Sequence, residues 1–553
     1  MLVVGLDGAS FRLIGPWLAA GELPCLSRLW REGVRGPLES VTPPLSPEAW
    51  STFMTGKHPG LHGVMNFLRF RPNSYQLEFS NGSMIRAKTL WRMLSEAGRR
   101  VGVMGVPMTY PPEPVNGYLV SGIETPGLGS RYTHPEGLAK ELREALGGYD
   151  LHGDFADTAD PSVYLERLIA MVGNQAGAAR YLLGKYPADL SVVVFGVTDR
   201  VHHSFWRYHD PEHPWHDPGA PRHLIDGVRT VYRRVDDAVA QLLEEVPGPT
   251  NVVVMSDHGC GPCHTLVDLN GWLAQRGYLN SGRGEHGGRG MVRGLYGRAA
   301  ALSPRWLKDA IKARLPGLRS QLASMMVLGR IDWGRTRAFS ISTQHGYIYL
   351  NRRDRFPLGL VEPGAEADGL CARLAEELVQ LREPEEGKPL VERVVRTRDL
   401  YHGPACDTLP DLIVLWREGY IARVRSDSAR TGVGRGIADL LKPTGRALDE
   451  WSASHRPDGM LIAHGPAFVS GASVEGARLV DLAPTLLHVL GEPVPEDMTG
   501  RVLEELLDPG FLRENPVRYS APDGAETPGA PTAELSPEES EEVAERLRKM
   551  GYL

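Results

Sequence analysis

Leu190-Ser191-Val192-Val193-Val194-Phe195-Gly196-Val197-Thr198-Asp199 is a short apolar, β-branched run that closes on a carboxylate. Two other stretches repeat the device: Leu2-Val3-Val4-Gly5-Leu6 before Asp7, and Asn251-Val252-Val253-Val254-Met255 before Ser256-Asp257. Such runs are expected where helices cover both faces of a strand, so they predict buried parallel strands over residues 2–6, 190–197 and 251–255. Between them, apolar residues recur at three- and four-residue spacing, most clearly at Ile225, Val228, Val231, Val235, Val239 and Leu242. Strands alternating with amphipathic helices imply an α/β fold, a doubly wound three-layer α/β/α sandwich with a mostly parallel central sheet and insertions.

The rest of the chain fits that frame. At 553 residues, 42% hydrophobic and 23% charged, it can bury a large core and is neither disordered nor fibrous. A net charge of −7 argues against a whole-chain nucleic-acid binder. Five cysteines do not make a disulfide scaffold. The first residues carry no basic leader, and no apolar run approaches the ~18 residues of a membrane span, so a cytoplasmic setting is expected. The organisation expected is a catalytic α/β core over residues 1–280 and 331–510, split by an insertion at 281–330. That insertion holds ten Lys or Arg against Glu285 and Asp309, the composition of a basic lid or flap. Residues 511–553 read as a linker and a charged helix, opened by Ser536-Pro537-Glu538-Glu539 with capping-box spacing.

In an open α/β sheet the carboxyl ends of the strands face the binding crevice, so Asp7, Asp199 and Asp257 are expected to converge there. Histidines accompany two of them, in Asp199-Arg200-Val201-His202-His203 and in Asp257-His258. One strand-end aspartate is ordinarily a helix cap; three together, two with histidines, point to a metal site. Asp199 and His203 are four apart and share a face if the chain turns helical, leaving His202 at the surface or in a supporting position. Mixed carboxylate and imidazole ligands suit Zn²⁺ or Mn²⁺, and this many groups suits two ions.

With these motifs the chain resembles the alkaline phosphatase superfamily, in the branch of type I phosphodiesterases and nucleotide pyrophosphatases. The likeness covers roughly residues 1–275 and 330–507. It rests on Val4-Gly5-Leu6-Asp7-Gly8, on Ser46-Pro47-Glu48-Ala49-Trp50 through Thr55-Gly56 with His58-Pro59-Gly60-Leu61-His62-Gly63, on Asp199 with His203, and on Asp257-His258-Gly259. The resemblance implies Ser46 as nucleophile and His455, in Ser454-His455-Arg456-Pro457-Asp458-Gly459, as the last ligand, with His345 and His464 as competitors. It implies one ion on Asp199, His203 and His455, and a second on Asp7, Asp257, His258 and the Ser46 oxygen. Asn66 resembles the asparagine that donates to a phosphate oxygen in this branch; a loop-capping role is the alternative. The segment 479–491 resembles the family's C-terminal helix. The function so implied is hydrolysis of a small anionic phosphoester through a phosphoseryl intermediate, without a stable nucleic-acid complex. A phosphomonoesterase or phosphoryl transferase is the alternative, with Arg200 or the basic insertion as the extra cation. A binding protein that has lost activity is the third reading.

Other signals are excluded. Cys260-Gly261-Pro262-Cys263-His264 imitates a thioredoxin or haem-attachment motif, but it follows the Asp257-His258 strand end directly and reads as incidental loop cysteines. The region of Ser46 lacks the Pro and Arg spacing of a sulfatase. It also lacks the serine signature of cofactor-independent phosphoglycerate mutases.

Overall fold

The computed structural model describes residues 1–147, 158, 160–280, 328, 331–341, 344–384, 386–422, 438–440, 451–523 and 535–549. The basic insertion at 281–330 lies outside them apart from residue 328, as does the linker from 524 to 532.

A nine-stranded sheet forms the centre. Its order is Ala477–Arg478, Val34–Glu39, Asp458–His464, Val252–Met255, Leu2–Leu6, Leu190–Phe195, Val101–Met104, Gly117–Val120 and Thr133–His134. Only Asp458–His464 and Thr133–His134 run against the rest. Strand residues alternate between two cores. Val3, Val192, Val194, Val253 and Met255 pack on one side with Trp50, Phe53 and Leu90. Leu2, Val4, Leu6, Val193, Phe195, Val252 and Val254 pack on the other with the helices Phe11–Ala20, Pro161–Lys185, Val197–His209 and Gly227–Glu245. Both faces are covered, which is why the strands read as unbroken apolar runs. This is the α/β/α sandwich expected.

Local details depart from expectation. The second run leaves the sheet at Phe195, and Asp199 stands in the first turn of the helix Val197–His209. Gly346–Leu350 and Leu412–Trp416 lie outside the central sheet. They form a separate antiparallel sheet with Ala338–Ser340 and Val391–Arg396. Cys260 and Cys263 are not loop residues but buried members of the strand Gly259–Val267, their thiols pushed up by burial.

Register brings the site together. Leu6 lies beside Phe195 and Gly5 beside Met255, so the residues that follow emerge at one edge. The helix Ser46–Thr55, buried along its whole length, crosses the first strand at Gly5, where a Cβ would stand 2.5 Å from Trp50 Cη2. Gly8 has φ 71, and a Cβ there would lie 3.1 Å from Asp199 Oδ1. Both positions need glycine, the first for close approach and the second also for its left-handed backbone.

The C-terminal helix Pro537–Lys549 is docked rather than solvated. Its capping box closes as the spacing requires: Glu539 N donates to Ser536 Oγ at 3.1 Å and Ser536 N to Glu539 Oε2 at 2.8 Å. Val543, Ala544 and Leu547 enter the core, and Arg546 donates to the carbonyls of Ile123, Thr125 and Pro126. No helix among the described residues is long and apolar enough to cross a membrane.

Two stability changes are expected. Gly5→Ala forces Trp50 out of its seat and destabilises by about 1–3 kcal/mol, read as a lowered thermal or denaturant midpoint. Arg546→Ala strands three carbonyls and removes charge-assisted bonds, a loss of about 1–3 kcal/mol read as a lowered midpoint.

Candidate metal and phosphoryl-transfer site

Each side chain reaches the edge of the sheet by a different route. Asp7 follows the first strand directly. Asp257 and His258 follow Val252–Met255. Asp199 and His203 lie one helical turn apart on Val197–His209. His455 arrives on the strand Ala453–Arg456, which pairs antiparallel with Gly259–Val267 so that His455 faces Cys260. Ser46 opens the helix Ser46–Thr55 at its first position, with Leu45 as the cap.

These residues meet in one buried cluster, each no more than 5% exposed. His203 Nε2 lies 3.0 Å from Asp199 Oδ2, and His455 Nε2 lies 3.3 Å from Asp199 Oδ1. His203 and His455 face one another at 3.2 Å between their Nε2 atoms. His258 Nε2 is 3.5 Å from Asp7 Oδ1, 3.3 Å from Asp257 Oδ2 and 3.3 Å from Ser46 Oγ. Ligand atoms of Asp199, His203 and His455, and separately those of Asp7, Asp199 and His258, all lie within 4.8 Å of one another.

The imidazoles are oriented from behind. His203 Nδ1 donates to Ala453 O at 2.8 Å, His258 Nδ1 to Gly259 O at 2.9 Å, and His455 Nδ1 to Pro44 O at 3.1 Å. A carbonyl can only accept, so each Nδ1 carries a proton and each Nε2 points into the cluster. Three imidazole nitrogens and three carboxylates converge there. Burial, followed by the neighbouring Asp257 and Asp199 charges, drives the Asp7 carboxyl well above its usual range. Burial and then Asp199 push Asp257 up to about 8. Burial and then His258 hold the His455 imidazole neutral, well below its ordinary value. Asp7 Oδ1 and Asp257 Oδ2 accept no hydrogen bond among the described residues. Donors of this kind, so placed, fit divalent cations, with imidazole and carboxylate suited to Zn²⁺ or Mn²⁺.

Other expectations resolve differently. His202 is not at the surface: it is fully buried, 3.1 Å from Tyr232 Oη, and supports the cluster from the helix interior. His464 sits at the far end of its strand, a third exposed, 3.5 Å from Glu32. His345 is buried but lines a separate cavity with His455. Asn66 has φ 75, accepts from Phe67 N at 2.7 Å and sends Nδ2 to Ile341 O at 3.5 Å, the bonds of a turn residue. Three supports escaped the sequence. Trp50 Nε1 donates to Asp7 Oδ2 at 3.2 Å, Trp451 stacks on His203 at 3.8 Å, and Gln344 Nε2 lies 3.4 Å from His455 Nε2. Trp50 repeats along the same helix as Ser46, and its apolar spacing reads only as core.

Beside Ser46 runs a narrow cleft shared with Asp7 and Asp199. Phe67, Met104, Ile123 and Met171 line it together with the polar Ser121, Gln175 and Arg200, the last 7% exposed.

Residues 1–436 match the family described as type I phosphodiesterase / nucleotide pyrophosphatase. Similar solved structures include phosphonoacetate hydrolase from Sinorhizobium meliloti 1021 with phosphonoformate, at 14% identity and TM-score 0.47 over 87% of this chain and 93% of that one. Human ectonucleotide pyrophosphatase / phosphodiesterase 5 aligns at 14% identity and TM-score 0.47 over 93% of this chain and 99% of its own. A 2,3-bisphosphoglycerate-independent phosphoglycerate mutase from Cereibacter sphaeroides is 51% identical over 49 residues, which is 9% of this chain and 9% of the mutase. The match over most of the chain leads to one conclusion: the protein belongs to the type I phosphodiesterase / nucleotide pyrophosphatase family.

Proposed function

We propose that the chain is a two-metal phosphohydrolase for phosphodiester or pyrophosphate-type substrates, with Ser46 as nucleophile and a phosphoseryl intermediate. The observation that carries this reading is the convergence of three backbone-anchored imidazoles on three buried carboxylates, with Ser46 Oγ 3.3 Å from His258 Nε2. Asp199, His203 and His455 would hold one ion; Asp7, Asp257, His258 and Ser46 Oγ would hold the other. Zn²⁺ or Mn²⁺ bound there supplies positive charge that lowers the pKa of a hydroxyl and offsets charge on the phosphoryl oxygens.

The protein's own part follows from its geometry. Ser46 opens a buried helix, whose N-terminal dipole favours an alkoxide at that position. The Ser46 oxygen attacks phosphorus, the bond to the leaving oxygen breaks, and the phosphoryl group passes to serine. Water then attacks the phosphoserine in line, returning the hydroxyl to Ser46 and releasing phosphate or a phosphomonoester. Trp50 holds the Asp7 carboxylate in place. Asn66 fixes the turn that carries Phe67 into the cleft. Arg200 in that cleft favours a second reading, a phosphomonoesterase that uses the guanidinium for the extra phosphate charge.

Ser46→Ala is expected to lower kcat on bis(4-nitrophenyl) phosphate by at least ~1,000-fold while elemental analysis still finds the wild-type metal content. Chelation abolishes turnover and readdition of Zn²⁺ or Mn²⁺ restores it; metal-replete protein inert toward every phosphoester sinks the proposal. Aryl mono- and diesters compared at equal concentration separate the two readings, and the diester is expected to be the better substrate. Trp50→Phe frees Asp7 Oδ2 and weakens metal affinity by about 10-fold or more in a competitive chelator titration.

A further inference from the structure

The small antiparallel sheet and the segments flanking it brace the chain on both sides of Ser46. Upstream, Tyr401, which follows the strand Val391–Arg396, donates from Oη to Thr42 O at 2.5 Å and accepts from Thr42 N at 3.0 Å. Downstream, Tyr347 in the strand Gly346–Leu350 donates from Oη to Glu48 Oε1 at 2.6 Å. Just before that strand, Gln344 lies against His455 and accepts from Ser454 Oγ at 3.2 Å. His455 Nδ1 in turn donates to Pro44 O, two residues before Ser46.

Glu48 is the joint of this brace. It stands in the first turn of the helix Ser46–Thr55, and both it and Tyr347 are fully buried. Its second oxygen, Oε2, accepts from Asn66 N at 3.0 Å. Asn66 precedes Phe67, which lines the cleft beside Ser46. One carboxylate therefore ties the start of the Ser46 helix to a wall of the cleft and to the small sheet. Burying a carboxylate is costly, and an apolar side chain would fill the same space at lower cost. What the carboxylate adds is two directional bonds, made to elements far apart in sequence.

We propose that Glu48 and Tyr347 are positioning residues for the nucleophile, an inference that rests on the phosphohydrolase reading with Ser46 in that role. Neither touches the reacting atoms. Together they hold the first turn of the Ser46 helix at a fixed distance from the Phe67 wall of the cleft. Without the Tyr347 hydroxyl, Oε1 loses its donor and the carboxylate is held from one side only, so helix start and cleft wall shift against one another. A misplacement of about 1 Å at a reacting group costs on the order of 100-fold in rate. An interaction that acts only on the approach of the nucleophile appears in kcat and leaves KM nearly unchanged.

The test compares kcat and KM on bis(4-nitrophenyl) phosphate for metal-replete wild type, Tyr347→Phe, Glu48→Ala and Glu48→Gln, at a temperature where circular dichroism shows each folded. Tyr347→Phe is expected to lose at least ~10-fold in kcat, with KM within ~2-fold of wild type and metal content unchanged. Glu48→Ala loses more. Glu48→Gln keeps the shape, offering an oxygen to Asn66 N and an amide N–H to Tyr347 Oη, so it recovers at least ~10-fold of the kcat that Glu48→Ala loses. Tyr347→Phe, which removes a single hydroxyl, carries the test if Glu48→Ala does not fold. A Tyr347→Phe protein with a lowered thermal midpoint but wild-type kcat overturns the proposal, as does a rise in KM in place of the loss in kcat. Glu48→Gln as slow as Glu48→Ala overturns it too. Wild type inert toward the diester removes the phosphodiesterase reading and the positioning pair with it, an outcome distinct from wild-type turnover that neither substitution disturbs.

Discussion

The structure depends on one electrostatic constraint: three carboxylates and three imidazoles are buried together at one edge of the central sheet. Ionised groups taken out of water must be paired, neutralised or bound to a cation. The upward displacement of Asp7 and Asp257 and the neutral His455 are how the bare protein meets that demand. Divalent ions would meet it while keeping the carboxylates ionised. The cluster therefore needs protons or a cation to balance its buried carboxylates.

That holding is distributed. The Nδ1 bonds of the three histidines end on Ala453, Gly259 and Pro44, carbonyls from three separate chain segments. Backbone acceptors suit this task because they cannot change protonation state. Glycine matters at the opposite scale. Gly5 lets a buried helix approach the first strand closely enough for Trp50 to reach Asp7, and Gly8 keeps a Cβ away from Asp199. Strand, helix and ligand are therefore coupled through absent side chains as much as through present ones.

The walls of the site come from elements remote in sequence. The segment that supplies Ser121, Gly122 and Ile123 to the Ser46 cleft is gripped by Arg546 from the last helix, more than 400 positions away. The cavity beside His455 is lined by residues of the small antiparallel sheet and of the strand that carries His455.

Much of this was legible in the residues themselves. Apolar β-branched runs ending in Asp7, Asp199 and Asp257 announced buried strands and a site at their carboxyl ends, because a strand covered on both faces leaves only its end for chemistry. The Asp199–His203 spacing and the Ser536–Glu539 capping box are local, set by helical geometry within a single turn, and both formed as read. The partners that required tertiary structure are those fixed by packing between distant segments. His455 was identified by resemblance, but its place opposite Cys260 follows from a strand pairing that no local pattern encodes. Trp50 and Trp451 read as core because an indole's hydrogen bond or stacking partner is chosen by whatever packs against it. The separate sheet is likewise decided by packing, since strand propensity carries no information about which neighbour a strand will find. Local spacing, then, determined the ligand motifs and the class of fold; long-range packing decided which atoms face one another, because only the closed core brings them within bonding distance.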